Sequence, residues 1–97
     1  MPYIKQEARK KYEEAITPLL RLIRNAPPGE LTWCISVLTD TWLQSIKHGY
    51  AEMALAIGIM ETAKLEMYRR CVAPYEDRKK AENGEVYTLF PAEEDMH

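Results

Sequence analysis

Ninety-seven residues, 46% of them apolar, with a net charge of −2, describe one small globular domain at the lower end of independent stability. That balance points to neither nucleic acid nor membrane as a partner; no apolar stretch is long enough to span a bilayer, and no signal-like run opens the sequence. A core of this size gains stability by self-association, which withdraws further apolar surface from water, so a homo-oligomer is expected.

The chain opens with the short arm Met1-Pro2-Tyr3-Ile4, whose Tyr and Ile are expected to pack. A first helix is predicted from about Lys5 to Arg24, with Tyr12, Ile16, Leu19, Leu20 and Ile23 in one stripe. Pro18 falls inside it, opposite the stripe. Because proline lacks a backbone donor and crowds the preceding turn, a kink, or a restart with Thr17 as N-cap, is expected. Asn25-Ala26-Pro27-Pro28-Gly29 reads as a stiff corner in which the glycine permits the reversal.

A second helix is predicted from about Glu30 to Lys47. Leu31, Cys34, Ile35, Leu38, Trp42 and Ile46 form one stripe, while Trp33 and Val37 lie on another side. The second apolar face reads as a subunit contact, the alternative being a core covered by a loop. His48-Gly49 is expected to close this helix. With almost no loop following, helices two and three should form an antiparallel hairpin.

The third helix is predicted from Tyr50 to Val72, stopping at Ala73-Pro74 because the residue before a proline disfavours the α region. Gly58 inside it suggests close helix approach, or a tolerated surface glycine. Tyr50, Met53, Ile57, Met60, Tyr68 and Cys71 share one side, and Glu61 and Lys64 fall in the middle of it. Buried charges are costly unless paired, so Glu61 and Lys64 are expected to serve each other, a partner subunit or a ligand within a helical core.

After Tyr75 the periodicity weakens. Residues 76–82 read as one or two helical turns, Asn83-Gly84 as a turn, and residues 85–90 as a short extended run lying across the helices or pairing with another chain. The expected organisation is a single domain over 1–87, with an irregular arm from about residue 75 and an extended or disordered tail over 88–97. Cys34 and Cys71, the two cysteines, have no Cys-x-x-Cys spacing and read as small core residues in a reduced, cytoplasmic setting.

Two constellations could carry chemistry. Spacings of three and four put Glu61, Lys64 and Tyr68 on neighbouring turns, where a desolvated lysine beside a carboxylate could hold phosphate or act as acid or base. An internal salt bridge satisfied by tyrosine hydroxyls is the simpler account. Arg69, Arg70, Tyr75, Arg78, Lys79 and Lys80 gather near the helix end, a mixture suited to phosphates and bases, or simply a solvated charged face. Two scattered histidines and two cysteines give no metal motif, and no glycine-rich phosphate loop or nucleophile elbow is present. No cofactor and no catalytic residue are expected.

Glu52, Glu61 and Glu66 invite comparison with the all-helical nucleotide pyrophosphohydrolases of the MazG kind, which hold Mg²⁺ on a Glu-Glu-x-x-Glu cluster and a Glu-x-x-Asp pair. Here Glu13-Glu14 lacks the third member and the second helix offers only Asp40, short of the convergent oxygens that a divalent ion needs.

Several stretches resemble a family of small uncharacterised helical proteins found in phages, prophages and other microbes. They are Met1-Pro2-Tyr3-Ile4, Gly29-Glu30-Leu31, the run of Glu61, Lys64, Glu66, Tyr68, Arg69 and Arg70, then Ala73-Pro74-Tyr75-Glu76-Asp77 and Glu82-Asn83-Gly84-Glu85-Val86-Tyr87. The resemblance covers most of residues 1–87 and implies no particular reaction. In layout, Arg69-Arg70-Cys71-Val72-Ala73-Pro74 after a helical hairpin is also broadly similar to the small anti-CBASS proteins of phages, which sequester cyclic nucleotides within oligomers. That analogy implies phosphate held by Lys64, Arg69 and Arg70, a base stacked on Tyr68 or Tyr75, and Glu61 orienting Lys64.

The expected protein is therefore all-α, a kinked first helix packed on a long antiparallel hairpin with an irregular C-terminal arm. Its expected role is that of a non-enzymatic oligomeric binding or accessory protein, taking a small anionic ligand or nucleotide. The alternatives are a metal-dependent pyrophosphohydrolase and a purely structural oligomerisation module.

Overall fold

The structure, a computed structural model, describes residues 2–89, all helix and connecting segments with no strand among them. Helix α1 spans Gln6–Ile23, α2 spans Pro28–Gln44 and α3 spans Tyr50–Met67. A π-helical turn follows at Tyr68–Val72, and α4 spans Ala73–Asn83. The expected all-α class holds. The chain divides between Ala63 and Lys64 into two compact units, each described by itself below.

In the first unit, the opening arm lies on α1. The Arg9 Nε donates to the Ile4 carbonyl at 2.9 Å, and Tyr3 and Ile4 border a shallow hollow with Tyr12 and Ile16. Helix α1 runs through Pro18 without a restart. Thr17 does not cap a new helix; its hydroxyl donates back to the Glu13 carbonyl at 2.6 Å, the i−4 bond typical of a helix-interior threonine. Thr17 thus gives the Glu13 carbonyl a second donor, one residue before the Glu14 carbonyl that Pro18 leaves without its usual amide.

The corner after α1 turns at a residue other than the glycine. Asn25 takes the left-handed conformation, φ 58°, while Gly29 lies inside the first turn of α2 at ordinary φ. Asparagine tolerates that region because its short side chain hydrogen-bonds locally. Pro28 occupies the start of α2, where a missing backbone donor costs nothing. Helix α2 ends at Gln44, with Ser45 closing it through its amide and through its hydroxyl on the Trp42 carbonyl at 2.6 Å. Gly49 therefore does not close α2. It starts α3 instead, its amide donating to Glu52 Oε1 at 3.0 Å in the manner of a capping box.

Helices α2 and α3 line one common groove, with Leu38, Thr39 and Trp42 on one side and Ala56 and Ile59 on the other. Ala56, 4% exposed, is the buried apolar residue there. No two of α1, α2 and α3 share an extensive close contact. Gly58 has open space where a Cβ would stand, so it marks no close approach within the chain.

In the second unit, the helix does not stop at Ala73-Pro74. The Ala73 amide bonds to the Tyr68 carbonyl, a five-residue span that widens the turn just ahead of Pro74. The widening has a cause: a proline ring crowds the carbonyl four residues before it, and opening the turn relieves the clash. Pro74 then sits in the first turn of α4, which continues to Asn83. The segment expected to be irregular from about residue 75 is thus helical, and the arm begins at Gly84. Gly84, φ +99°, ends α4 with its amide on the Lys80 carbonyl at 2.8 Å. The expectations for residues 90–97 lie outside the described residues.

Candidate functional site

The six residues singled out by sequence are all exposed: Glu61 in the first unit, and Lys64, Tyr68, Arg69, Arg70 and Tyr75 in the second. The expectation that Glu61 and Lys64 are withdrawn from water in a helical core is not met within the chain, where both are exposed. Met53, Ile57 and Met60 on the same side of α3 are exposed as well.

Cys71 is likewise exposed rather than a core residue, and Cys34 is half-buried; both thiols are free. The π turn carries Cys71 out together with Arg69 and Arg70.

Two arrangements give the second unit its electrostatics. Arg69 makes a two-pronged fork onto Glu66, Nε to Oε1 and Nη2 to Oε2, each 2.6 Å. Such bidentate pairs are the stronger kind of charge-assisted bond. Glu66 is the more sheltered partner, its side chain 17% exposed against 66% for Arg69. Further on, the Tyr75 ring has the Arg78 guanidinium and the Lys79 ammonium each 5.7 Å from its centre. Cations at that distance from the ring are attracted by its quadrupole. Any anion approaching Arg69 therefore competes with Glu66, and any base stacking on Tyr75 competes with two cations.

Tyr68 borders a separate cleft of about 450 Å³, with Lys79, Lys80, Glu85, Val86 and Tyr87 among its walls. The arm is held there by its own carboxylate. Glu85 Oε1 accepts the amides of Val86 at 2.8 Å and Tyr87 at 3.1 Å, and Oε2 lies 3.8 Å from Lys80 Nζ. The amide of Tyr87, then that of Val86, with Lys80 adding to them, hold the Glu85 carboxyl below the usual glutamate range. Lys79 pairs with Glu82 at 3.2 Å.

Sequence reasoning grouped Tyr75 with Arg78 and Lys79, and the structure brings these together. It overlooked the Glu66–Arg69 fork, although the i, i+3 spacing was there to read. The Glu85 cap and the Tyr68–Tyr87 cleft had no comparable signal, since they depend on where the arm folds. Among the described residues no three His, Cys, Asp or Glu side chains converge in a way that could hold a metal ion. Glu52 caps α3 and Glu66 holds Arg69, which are structural duties.

Residues 1–86 match the family described as a domain of unknown function, DUF6899. The chain belongs to this family. No curated protein and no solved structure matches it. Membership in this DUF6899 family agrees with the resemblance to uncharacterised proteins and carries no activity with it. Among the described residues, no helix is long and apolar enough to cross a membrane.

Proposed function

We propose that this DUF6899 protein works as a non-enzymatic homo-oligomeric binding module, in which copies of the chain complete one another's core. The observation that carries this reading is the exposure of α3. Leu55, Ile57, Ile59, Met60 and Leu65 point to every side of the helix and all are exposed. A helix that is apolar all round is ordinarily buried, and here the single chain offers it one neighbouring helix.

The second unit supplies the ligand-facing part of the reading. Lys64, Arg69 and Arg70 are exposed cations and Tyr68 and Tyr75 exposed aromatic rings of one unit; residue types of this kind suit a small phosphate-bearing ligand, and a nucleotide signal is the specific form of it.

Light scattering on the purified chain tests the assembly; a monomer at micromolar concentration refutes it. A thermal-shift series with cyclic dinucleotides tests the ligand: stabilisation by wild type that Arg70→Ala loses is expected. Release of pyrophosphate from nucleotides with Mg²⁺, abolished by Glu61→Gln, would replace the binding reading with an enzymatic one.

A further inference from the structure

Helix α2 carries exposed apolar side chains on two opposite faces. On one face, Leu38 and Trp42 join Ala56 and Ile59 around a groove of about 240 Å³. Thr39, the polar residue of that lining, turns its hydroxyl to the Ile35 carbonyl at 2.7 Å, so the groove asks for nothing polar. At about 100° per residue, Trp33 lies roughly 180° around α2 from Trp42 and about 140° from Leu38, with Val37 roughly 40° from Trp33. Trp33 is 66% exposed and Leu38 61%.

No charged residue interrupts α2 from Leu31 to Thr39, although a helix face kept in water ordinarily carries some. Asp40, which follows, is engaged by Gln44 Nε2 at 2.8 Å. Each copy thus offers a projecting indole on one side of a helix and an apolar groove on the other.

We propose that the chain assembles head to tail, with Trp33 of one copy seated in the groove formed by Leu38, Trp42, Ala56 and Ile59 of the next. This rests on the self-assembly reading above and gives it a symmetry. Two copies meeting groove to groove would leave both Trp33 side chains in water, along with the reverse face of α2. A head-to-tail contact satisfies both faces in every copy, and it closes into a ring when the rotation between neighbours allows. The occupant is a second copy because every copy carries both complementary parts on α2, a projecting indole that is 66% exposed and an apolar groove that asks for nothing polar.

The test uses the full chain with Trp33→Lys and Leu38→Lys, one change on each face. Wild type is expected to run as a trimer or larger ring by light scattering, and each variant alone to lose that mass. An equimolar mixture of the two is expected to yield a two-chain species, because one intact indole meets one intact groove and the chain of contacts ends there. Should the variants alone be unfolded, the mixture must regain helical circular dichroism. A mixture that behaves as its separate components overturns the proposal, as does a wild-type dimer or a variant that keeps the wild-type mass.

Trp42→Phe leaves Trp33 as the sole indole. Its emission must move to the blue as chain concentration drives assembly, and an unmoved emission overturns the contact. A monomeric wild type refutes self-assembly itself. An assembled wild type indifferent to both lysines refutes only the Trp33 contact.

Discussion

Replacing Pro18 with alanine should stabilise the protein, and the expected size of the effect can be worked from α1. Pro18 sits inside Gln6–Ile23, so the Glu14 carbonyl lacks the amide that would normally reach it. A proline in a helix interior costs about 3 kcal/mol relative to alanine. Against this, proline restricts the unfolded chain, which returns about 0.4–1 kcal/mol. The net gain is therefore about 2 kcal/mol for Pro18→Ala. For a domain of this size each kcal/mol moves Tm by about 4–8 °C, so a rise of roughly 8–16 °C is expected. The assay is thermal unfolding followed by circular dichroism, with both proteins at the same chain concentration, since Tm depends on concentration for any chain that self-associates. An unchanged or lower Tm would refute the reasoning. It would mean that the local geometry Pro18 gives α1 is itself used in packing, and that the substitution loses more contact than the new hydrogen bond supplies.

Other expectations follow from the second unit. Gly84→Ala places a Cβ at φ +99°, where open space removes any clash but the backbone itself is strained by about 1–3 kcal/mol; amide exchange in the last turn of α4 should quicken, and unaltered protection would count against the cap. Because the folded state lowers the Glu85 carboxyl below its ordinary 4.5, the arm's hold is complete above that pH and is lost as pH falls through the lowered value. The Val86 and Tyr87 amide resonances should follow that titration, and Glu85→Gln should abolish the dependence. Arg69→Gln breaks a fork whose arginine is largely exposed, so a loss below about 1 kcal/mol is expected in denaturant titrations, shrinking further at high salt. If anions bind the cations of this unit, Glu66→Gln should tighten that binding, because it removes a competing carboxylate; weaker binding would point elsewhere.

What the sequence disclosed follows from where the physics is local. The positions of α1, α2 and α3 are written in stripes, prolines and apolar spacing, and the ends of α1 and α2 and the start of α3 were found to within a few residues. The corner at residues 25–29 was legible as a corner, but its left-handed residue is Asn25, because Gly29 was already committed to the first turn of α2. Proline misled at 74. Its usual bar on the preceding residue is lifted by the widened turn, a device with no sequence signature of its own. Glu61 and Lys64 differ for another reason: a stripe reports the spacing of apolar residues along one helix, not whether a neighbouring element covers them, and here both are exposed.

The widened turn at Tyr68–Val72 reaches beyond Pro74. In an uninterrupted α-helix, two residues seven apart point nearly the same way, so Tyr68 and Tyr75 would sit one above the other. One surplus residue in the coil rotates everything after it by about 100°. Arg78 and Lys79, three and four residues further along α4, turn together with Tyr75 and stay over its ring, so the three form one cluster that is rotated as a unit away from the direction of Tyr68. Removing a single residue from this turn would act like a click of a ratchet, bringing Tyr75, with Arg78 and Lys79, back to the side of the helix that carries Tyr68 without touching a loop.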